Sequence, residues 1–120
     1  MNRFAAPIAA QIWDMKYRFK EADGTPRDVT VEDTWRRIAR ALAEVEEQPK
    51  VWEDKFYSAL EDFKYLPAGR ITAGAGTARS VTLFNCFVMG TVPDTMGGIF
   101  DALKEAALTM QQGGGIGYDF

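Results

Sequence analysis

Charge and glycine are distributed in opposite directions along this chain. Residues 1–66 carry 11 basic and 13 acidic side chains with one glycine, whereas residues 67–120 carry 3 basic side chains, 4 acidic ones and the other ten glycines. Charged segments are typical of solvated helices, and apolar, glycine-rich segments are typical of strands, tight turns and close backbone approaches. The chain is therefore predicted to contain a helical region over residues 1–66 and a different region over residues 67–120.

Composition excludes several classes of site. The 120 residues contain no histidine and one cysteine, Cys86. Without histidine there is no Ser–His–Asp triad, Cys–His dyad or imidazole metal ligand, and a lone cysteine forms neither an internal disulfide nor a multi-thiolate centre. We therefore expect no metal site in this chain. A net charge of −3 and a pI near 4.9 do not favour nucleic-acid binding.

The sequence gives no indication of membrane insertion or export. No apolar run is long enough to span a bilayer. Residues 4–12 make a poor signal peptide, because Asp14 and Lys16 follow at once. We therefore expect a cytoplasmic protein with neither a membrane nor a nucleic acid as its partner.

Three periodic segments fill the first region. In the first, apolar residues follow helical spacing over residues 8–19, while residues 13–20 also alternate apolar and charged side chains as a strand does. We expect a helix that gives way to extended chain before a turn at residues 23–26. In the second segment, Thr30 and Asp33 form a capping-box pattern. Its apolar stripe is Trp35, Ile38, Leu42 and Val45. Most of the charged residues lie off this stripe and are expected on a solvated face: Arg36, Arg37, Arg40, Glu44 and Glu47.

The third segment is a helix that begins at Pro49 and ends before Pro67. Its predicted buried face is Trp52, Phe56, Leu60 (or Ala59) and Phe63. These aromatic residues are expected to pack between helices rather than to bind a ligand.

A nearly continuous apolar run over residues 81–89 predicts a strand buried on both faces, as in a parallel sheet or barrel. Residues 90–93 end it, and Asp94 or Thr95 caps a helix that ends at Gln112. The apolar positions of that helix are Ile99, Leu103, Ala106 or Ala107, and Met110. Gly97 and Gly98 in its first turns are compatible with close approach to a ligand or another chain.

Two glycine clusters, GAGT at residues 74–77 and GGGIG at residues 113–117, stand near the predicted strand. Neither follows the strand, G-x-G-x-x-G, helix order of a dinucleotide fingerprint, and there is no G-K-S/T phosphate loop. Spacing alone therefore favours turns over phosphate cradles.

Cys86 allows two interpretations. A lone cysteine in an apolar strand is usually a small buried hydrophobic residue. Asn85 beside it carries an amide that must find a hydrogen-bond partner if buried, so the pair could instead face a polar pocket.

Four motifs in order resemble the start of the catalytic subunit of ribonucleotide reductases, with the strongest likeness to the adenosylcobalamin-dependent (class II) enzymes. They are LPAGRI at residues 66–71, GAGT at 74–77, LFNCFV at 83–88 and QGGGIG at 112–117. IWDMKYR at residues 12–18 and DTWRR at 33–37 also resemble the N-terminal helical region of that family. Some class I subunits share parts of this pattern.

The resemblance implies a fold and a set of site residues. The fold is an α/β fragment, in which a mainly helical region, residues 1–66, precedes the start of a ten-stranded α/β barrel, residues 67–120. Cys86 matches one of two cysteines that reduce the ribose as the 2′-hydroxyl leaves, and Asn85, Gly114 and Gly115 match positions that contact the substrate. Asp94, Thr95 and Met96 match the start of the site for a deoxynucleoside triphosphate effector.

The resemblance also implies partners. They are a ribonucleoside di- or triphosphate substrate, a thioredoxin-like or dithiol reductant, and a second subunit that contacts the helix over residues 99–110. The second reducing cysteine, the radical-bearing cysteine and the adenosylcobalamin site of such enzymes match nothing in this chain, so we expect it to be an N-terminal fragment that is inactive alone. Two alternatives stay open: a small deoxynucleotide-binding module that uses Asp94 and the glycine loop, and a helical protein-interaction module.

Overall fold

The computed structural model describes residues 3–120, which form two compact units. The first unit extends to Ala78, and the second is Arg79–Phe120. The helices of the first unit are α1 (Pro7–Ile12), α2 (Val31–Ala43), α3 (Pro49–Leu60) and α4 (Gly69–Gly74). The second unit contains β1 (Cys86–Thr91), α5 (Met96–Gln111) and β2 (Gly115–Asp119). The domain division after residue 66 stays a prediction.

The first helix gives way to extended chain, as predicted. α1 continues into a wider π-helical turn, Trp13–Tyr17, and Arg18 is already extended. The backbone N–H of Glu21 then donates to the carbonyl of Thr25 at 2.8 Å, which closes the turn over residues 23–26.

α2 begins at the predicted capping box. The backbone N–H of Thr30 donates to Oδ2 of Asp33 at 2.9 Å, and that of Asp33 donates to Oγ1 of Thr30 at 3.4 Å. Two of the orphan N–H groups of this helix end are thereby satisfied.

The predicted apolar stripe of α2 is wrong at its C-terminal end. Trp35 and Ile38 are buried, but Leu42 is 39% exposed and Val45 is 89% exposed. α2 ends at Ala43, so Val45 lies outside it. Ala39 and Ala43 continue the buried face instead, because Ala39 follows Trp35 by four positions and Ala43 follows Ala39 by four.

α3 begins at Pro49 as predicted but ends at Leu60. A single 3₁₀ turn, Glu61–Phe63, follows, in which the left-handed φ angles of Asp62 and Phe63 (58° and 59°) turn the chain back. The ring of Phe63 thereby packs edge-on against Trp35, with centroids 5.1 Å apart.

The predicted buried face of α3 also needs correction. Leu60 is buried and Phe56 packs against the core, but Trp52 is 36% exposed and Ala59 is exposed. Glu53 is buried in their place, because its carboxylate faces the guanidinium of Arg36 on α2 at 3.4 Å.

The core of the first unit lies between α2, α3 and the residues that follow α4. Its buried residues are Val31, Trp35, Ile38, Ala39, Leu60 and Ala75. The predicted role of the aromatic residues in core packing is confirmed for Trp35, Phe56 and Phe63. The indole N–H of Trp13 donates to Oγ1 of buried Thr34 at 3.0 Å, which joins the first segment to α2.

The second unit is a β1–α5–β2 arrangement in which the two strands pair in parallel. A parallel pair needs a long crossover, and α5 supplies it. The predicted strand over residues 81–89 is shifted, since β1 begins at Cys86 and continues through Gly90 to Thr91. Burial on both faces is also wrong, because β2 is the one strand that pairs with β1 in the described chain, and Val88 is 93% exposed.

α5 is capped by Thr95, whose Oγ1 accepts from the backbone N–H of Gly98 at 3.0 Å. It ends at Gln111, one residue before the predicted end. Its predicted apolar face is buried only at Ala106. Ile99, Leu103 and Met110 are 45%, 53% and 50% exposed. Within residues 3–120, no helix has the length and apolar character needed to cross a membrane.

Candidate active site

Asn85, Cys86, Gly114 and Gly115 lie together where β1 and β2 begin. Cys86 is the register partner of Gly115, and the carbonyl of Asn85 accepts from the backbone N–H of Gly115 at 2.8 Å. A Cβ atom placed on Gly115 would lie 3.5 Å from the Sγ atom of Cys86. Residues that are far apart in the sequence are thus neighbours, because parallel strands begin at the same edge of a sheet.

The thiol of Cys86 is free and exposed. The interpretation of Cys86 as a buried hydrophobic residue is therefore wrong for this structure, and Asn85 is exposed as well. Side chains alternate along a strand, so Cys86 and Val88 point to one face of β1 and Phe87 points to the other. An accessible thiol beside backbone that carries no side chain leaves room for a small molecule to approach the sulfur.

Phe87 and Thr109 hold the glycine loop, and sequence reasoning assigned them no role. A Cβ atom on Gly114 would lie 2.6 Å from Cε2 of Phe87 and 3.1 Å from Cγ2 of Thr109. Gly113 has a φ of 92° and lets the chain turn sharply at the end of α5. The alternation of β1 could have placed Phe87 opposite Cys86, but the sequence gives no signal for its contact with Gly114.

Asp94, Thr95 and Met96 lie beyond the other end of β1. A strand of this length spans about 17 Å, so the structure does not bring these residues to Cys86. All three are exposed at the N-terminus of α5. The absence of a side chain at Gly98 is explained by packing within the chain, because an added Cβ atom would lie 2.6 Å from Cβ of Pro93.

The GAGT cluster is a turn, as predicted. Gly76 has a φ of 73°, and Oγ1 of Thr77 donates to the carbonyl of Gly74 at 2.8 Å. The GGGIG cluster is only partly a turn, since Gly115 and the residues after it belong to β2.

A buried ion pair between Arg37 and Asp28 contacts the GAGT turn. The prediction that Arg37 lies on a solvated face is therefore wrong. Arg37 is 9% exposed and Asp28 is 3% exposed. Nη2 of Arg37 lies 3.0 Å from Oδ2 of Asp28, while Nη1 donates to the carbonyl of Ala75 at 2.6 Å. Arg37 also donates to the carbonyls of Thr72 and Tyr17, at 3.0 and 3.2 Å. These contacts come from three separate chain segments, so helical spacing could not reveal them.

The two large clefts of the first unit are lined by none of the predicted site residues. One, of about 440 Å³, lies among charged residues that include Arg27, Arg36 and Arg40. The other, of about 590 Å³, is lined mainly by apolar and aromatic residues such as Trp13 and Phe63. Among residues 3–120, no cluster of three or more histidine, cysteine, aspartate or glutamate side chains is arranged to hold a metal ion.

The comparisons with known proteins agree with the resemblance. The family model described as "Ribonucleotide reductase, all-alpha domain" matches residues 3–80. The chain therefore belongs to the ribonucleotide reductase family.

Three relatives illustrate the range of similarity. The chain is 36% identical to the ribonucleoside-diphosphate reductase subunit alpha of Helicobacter pylori over 105 residues. The aligned part is 88% of this chain and 13% of the relative. It is 31% identical to the vitamin B12-dependent ribonucleoside-diphosphate reductase of Mycobacterium tuberculosis, over 88% of this chain and 15% of the relative. It is 28% identical to a putative adenosylcobalamin-dependent ribonucleoside-triphosphate reductase of Mycobacterium phage D29, over 95% of this chain and 16% of the relative. The chain thus spans about a seventh of the length of these relatives.

Proposed function

We propose that this chain is the N-terminal part of a ribonucleotide reductase that converts ribonucleotides to 2′-deoxyribonucleotides by thiyl-radical chemistry. The observation that carries the proposal is the pairing of Cys86 with Gly115, which sets an exposed thiol beside a glycine backbone. Family membership supports the reaction class. In this proposal β1 is the first strand of the ten-stranded barrel, and the whole enzyme works in the cytoplasm as a homodimer.

Cys86 is assigned as one of two reducing thiols. Replacement of the 2′-hydroxyl by hydrogen needs two electrons and two protons. Two thiols supply them by forming one disulfide, while the hydroxyl leaves as water. Cys86 is the one cysteine among the 120 residues, so the second thiol is assigned to a part of the reductase beyond these residues. A thioredoxin-like protein or another dithiol then reduces the disulfide.

Substrate and effector are assigned to opposite ends of β1. Asn85, Gly114 and Gly115 are proposed to contact the ribonucleoside di- or triphosphate, because they lie with Cys86 where β1 and β2 begin. Asp94, Thr95 and Met96 are proposed to bind the deoxynucleoside triphosphate effector. An effector at that end lies away from Cys86, so its effect on the substrate has to be transmitted through the protein, which suits an allosteric control of specificity.

Adenosylcobalamin is the proposed cofactor, supported by similarity to a vitamin B12-dependent and to a putative adenosylcobalamin-dependent reductase. It would supply the radical that starts the reaction. No residue of this chain is assigned to binding it, and its site is assigned to other parts of the reductase.

The test is a Cys86→Ser variant of the intact reductase. The wild-type enzyme is expected to reduce ribonucleotides repeatedly with a dithiol and to depend on added adenosylcobalamin. Cys86→Ser is expected to abolish multiple turnover, and peptide mapping of the wild type after one turnover should find Cys86 in a disulfide. Val88→Ser, on the same face of β1, is the control and should keep turning over. Undiminished turnover by Cys86→Ser would remove the assigned role.

Assays with diphosphate and triphosphate substrates decide between the two substrate classes. The binding-module alternative predicts instead that the chain alone binds a deoxynucleoside triphosphate, that Asp94→Ala abolishes this binding, and that the intact protein has no reductase activity.

A further inference from the structure

The backbone of Gly114 lies between an aromatic ring and a methyl group. Gly114 is buried, and a Cβ atom there would lie 2.6 and 2.8 Å from Cε2 and Cδ2 of Phe87 and 3.1 Å from Cγ2 of Thr109. Its backbone N–H donates to the carbonyl of Thr109 at 3.1 Å. Separations under 3.0 Å are essentially never found for real Cβ atoms. The ring of Phe87 therefore occupies the space that a side chain at position 114 would need.

The same ring is linked to the thiol on the opposite face of the sheet. Phe87 directly follows Cys86 on β1, so its ring and the thiol lie on opposite faces of one strand. Gly114 precedes Gly115, whose N–H donates to the carbonyl of Asn85 and on which an added Cβ atom would lie 3.5 Å from Sγ of Cys86. A shift of Gly114 away from Phe87 would therefore move the backbone that lies beside the thiol.

We propose that Phe87 is a positioning residue of the reductase site. Its ring, together with Thr109, fixes how closely the Gly114–Gly115 backbone lies to Cys86, and so sets the space in which the ribose sits. Phe87 does not touch the reacting atoms in this scheme. The expected effect on kinetics rests on the proposed function. The expected effect on the backbone of Gly114 and Gly115 depends only on the contacts of Phe87.

The kinetic test uses Phe87→Leu and Phe87→Ala in the intact reductase. A displaced loop weakens substrate binding in the ground state and the transition state alike, so KM should rise roughly fivefold for Phe87→Ala while kcat changes by less than about twofold. Phe87→Leu should fall between the wild type and Phe87→Ala. Phe120→Ala, which removes a 94% exposed phenylalanine from the residue after β2, is the matched control and should leave both constants unchanged.

A second measurement needs no catalysis. The backbone amide of Gly115 should exchange its hydrogen about tenfold faster in Phe87→Ala, because its bond to Asn85 is no longer held in place. Phe120→Ala should leave that rate unchanged. Gly114→Ala should also accelerate exchange, and the Phe87→Ala/Gly114→Ala pair should recover much of the protection, because the smaller side chain at position 87 makes room for the new methyl group. Gly117→Ala, where an added Cβ meets nothing within 4 Å, is the glycine control.

The outcomes separate the two proposals. Unchanged Gly115 exchange in Phe87→Ala overturns the positioning role, whatever the enzyme's activity. A lower melting temperature with KM and kcat both unchanged also overturns it, because Phe87 would then act on stability alone. If Gly115 exchanges faster in Phe87→Ala but the intact protein reduces no ribonucleotide, the contact of Phe87 with the glycine loop is supported and the proposed function is overturned.

Discussion

The guanidinium of Arg37 lies 3.0 Å from the carboxylate of Asp28, and both side chains are buried in the first unit. Arg37 also donates to three backbone carbonyls, from the π-helical turn, α4 and the residue after α4. Oγ1 of Thr34 donates to the same Asp28 carboxylate at 2.7 Å. Arg37 thus joins the π-helical turn, the loop that holds Asp28 and the end of α4 through hydrogen bonds.

Removing one partner of this pair should be strongly destabilising. Asp28→Ala or Arg37→Ala leaves the other charge buried without compensation, which typically costs roughly 3–5 kcal/mol. The measurement is the free energy of unfolding in urea. Arg27→Ala is the control, since its bridge to Glu21 is largely exposed and should contribute at most about 1 kcal/mol. Equal losses in the buried and exposed variants would contradict the assigned weight of the Arg37–Asp28 pair.

Gly76 should tolerate alanine less well than Gly24 does. Both have positive φ angles, 73° and 90°, so alanine at either position costs about 1–2 kcal/mol of backbone strain. At Gly76 the new Cβ would also lie 3.0 Å from Cγ of Arg37 and 3.1 Å from its carbonyl oxygen, whereas at Gly24 nothing lies within 4 Å. Overpacking adds typically about 1–3 kcal/mol. Urea unfolding of both variants measures the difference, and equal losses would show that packing against Arg37 has no effect.

The capping box of α2 should contribute measurably to stability. Thr30→Ala removes the side-chain oxygen that accepts from the N–H of Asp33 and should cost about 1 kcal/mol. Thr30→Ser keeps the oxygen and should retain most of that stability. Thermal unfolding followed by circular dichroism distinguishes the two variants. A serine variant as unstable as the alanine variant would point to the lost methyl group rather than to the cap.

Stability should fall at acid pH, in part through Asp14. Hydrogen bonds from Arg18, and then from Lys20, lower the pKa of the Asp14 carboxyl below its ordinary value. A carboxyl with a lower pKa in the folded state contributes stability that is complete above its unfolded pKa, near 4, and that disappears as the pH falls through the folded pKa. Asp14→Asn should therefore flatten the decline in urea midpoint below about pH 4.

Salt and a direct titration provide the control for Asp14. The carboxylate is 44% exposed, so 1 M salt should weaken its effect by screening. A titration of the Asp14 carboxyl by NMR should give a pKa below the ordinary value of an aspartate side chain. An unshifted midpoint would contradict the role of Arg18.

Local rules predicted the parts of the fold that depend on few residues. Thr30 and Asp33 lie three positions apart, as a capping box requires, and proline is favoured at the first position of a helix, as at Pro49. Both helix starts could therefore be predicted. Long-range partners decided the rest. Arg37 is buried because Asp28 and Ala75 come to it from different segments, and Glu53 replaces Trp52 on the buried face because Arg36 lies opposite it.

The sequence predicted that Cys86 and Gly115 belong to one site, whereas it did not predict the surroundings of Cys86. The motifs around Cys86 and Gly115 identified both positions, and parallel pairing explains why they meet. The exposure of Cys86 and Val88 could not be predicted, because a strand composition suited to burial on both faces does not specify how many strands cover it. The contact of Phe87 with Gly114 depends on the sharp turn at Gly113, which spacing does not reveal.

The parallel pairing of Cys86 with Gly115 also sets an order of events during synthesis. The ribosome makes Cys86 first, and the whole of α5 must follow before Gly115 exists. At about 5–20 residues per second, this interval lasts a few seconds. During that time the backbone N–H and C=O groups of β1 have no strand beside them and form an open edge with which other chains can pair. Correct folding of the second unit therefore depends on the prompt completion of α5 and β2 during translation.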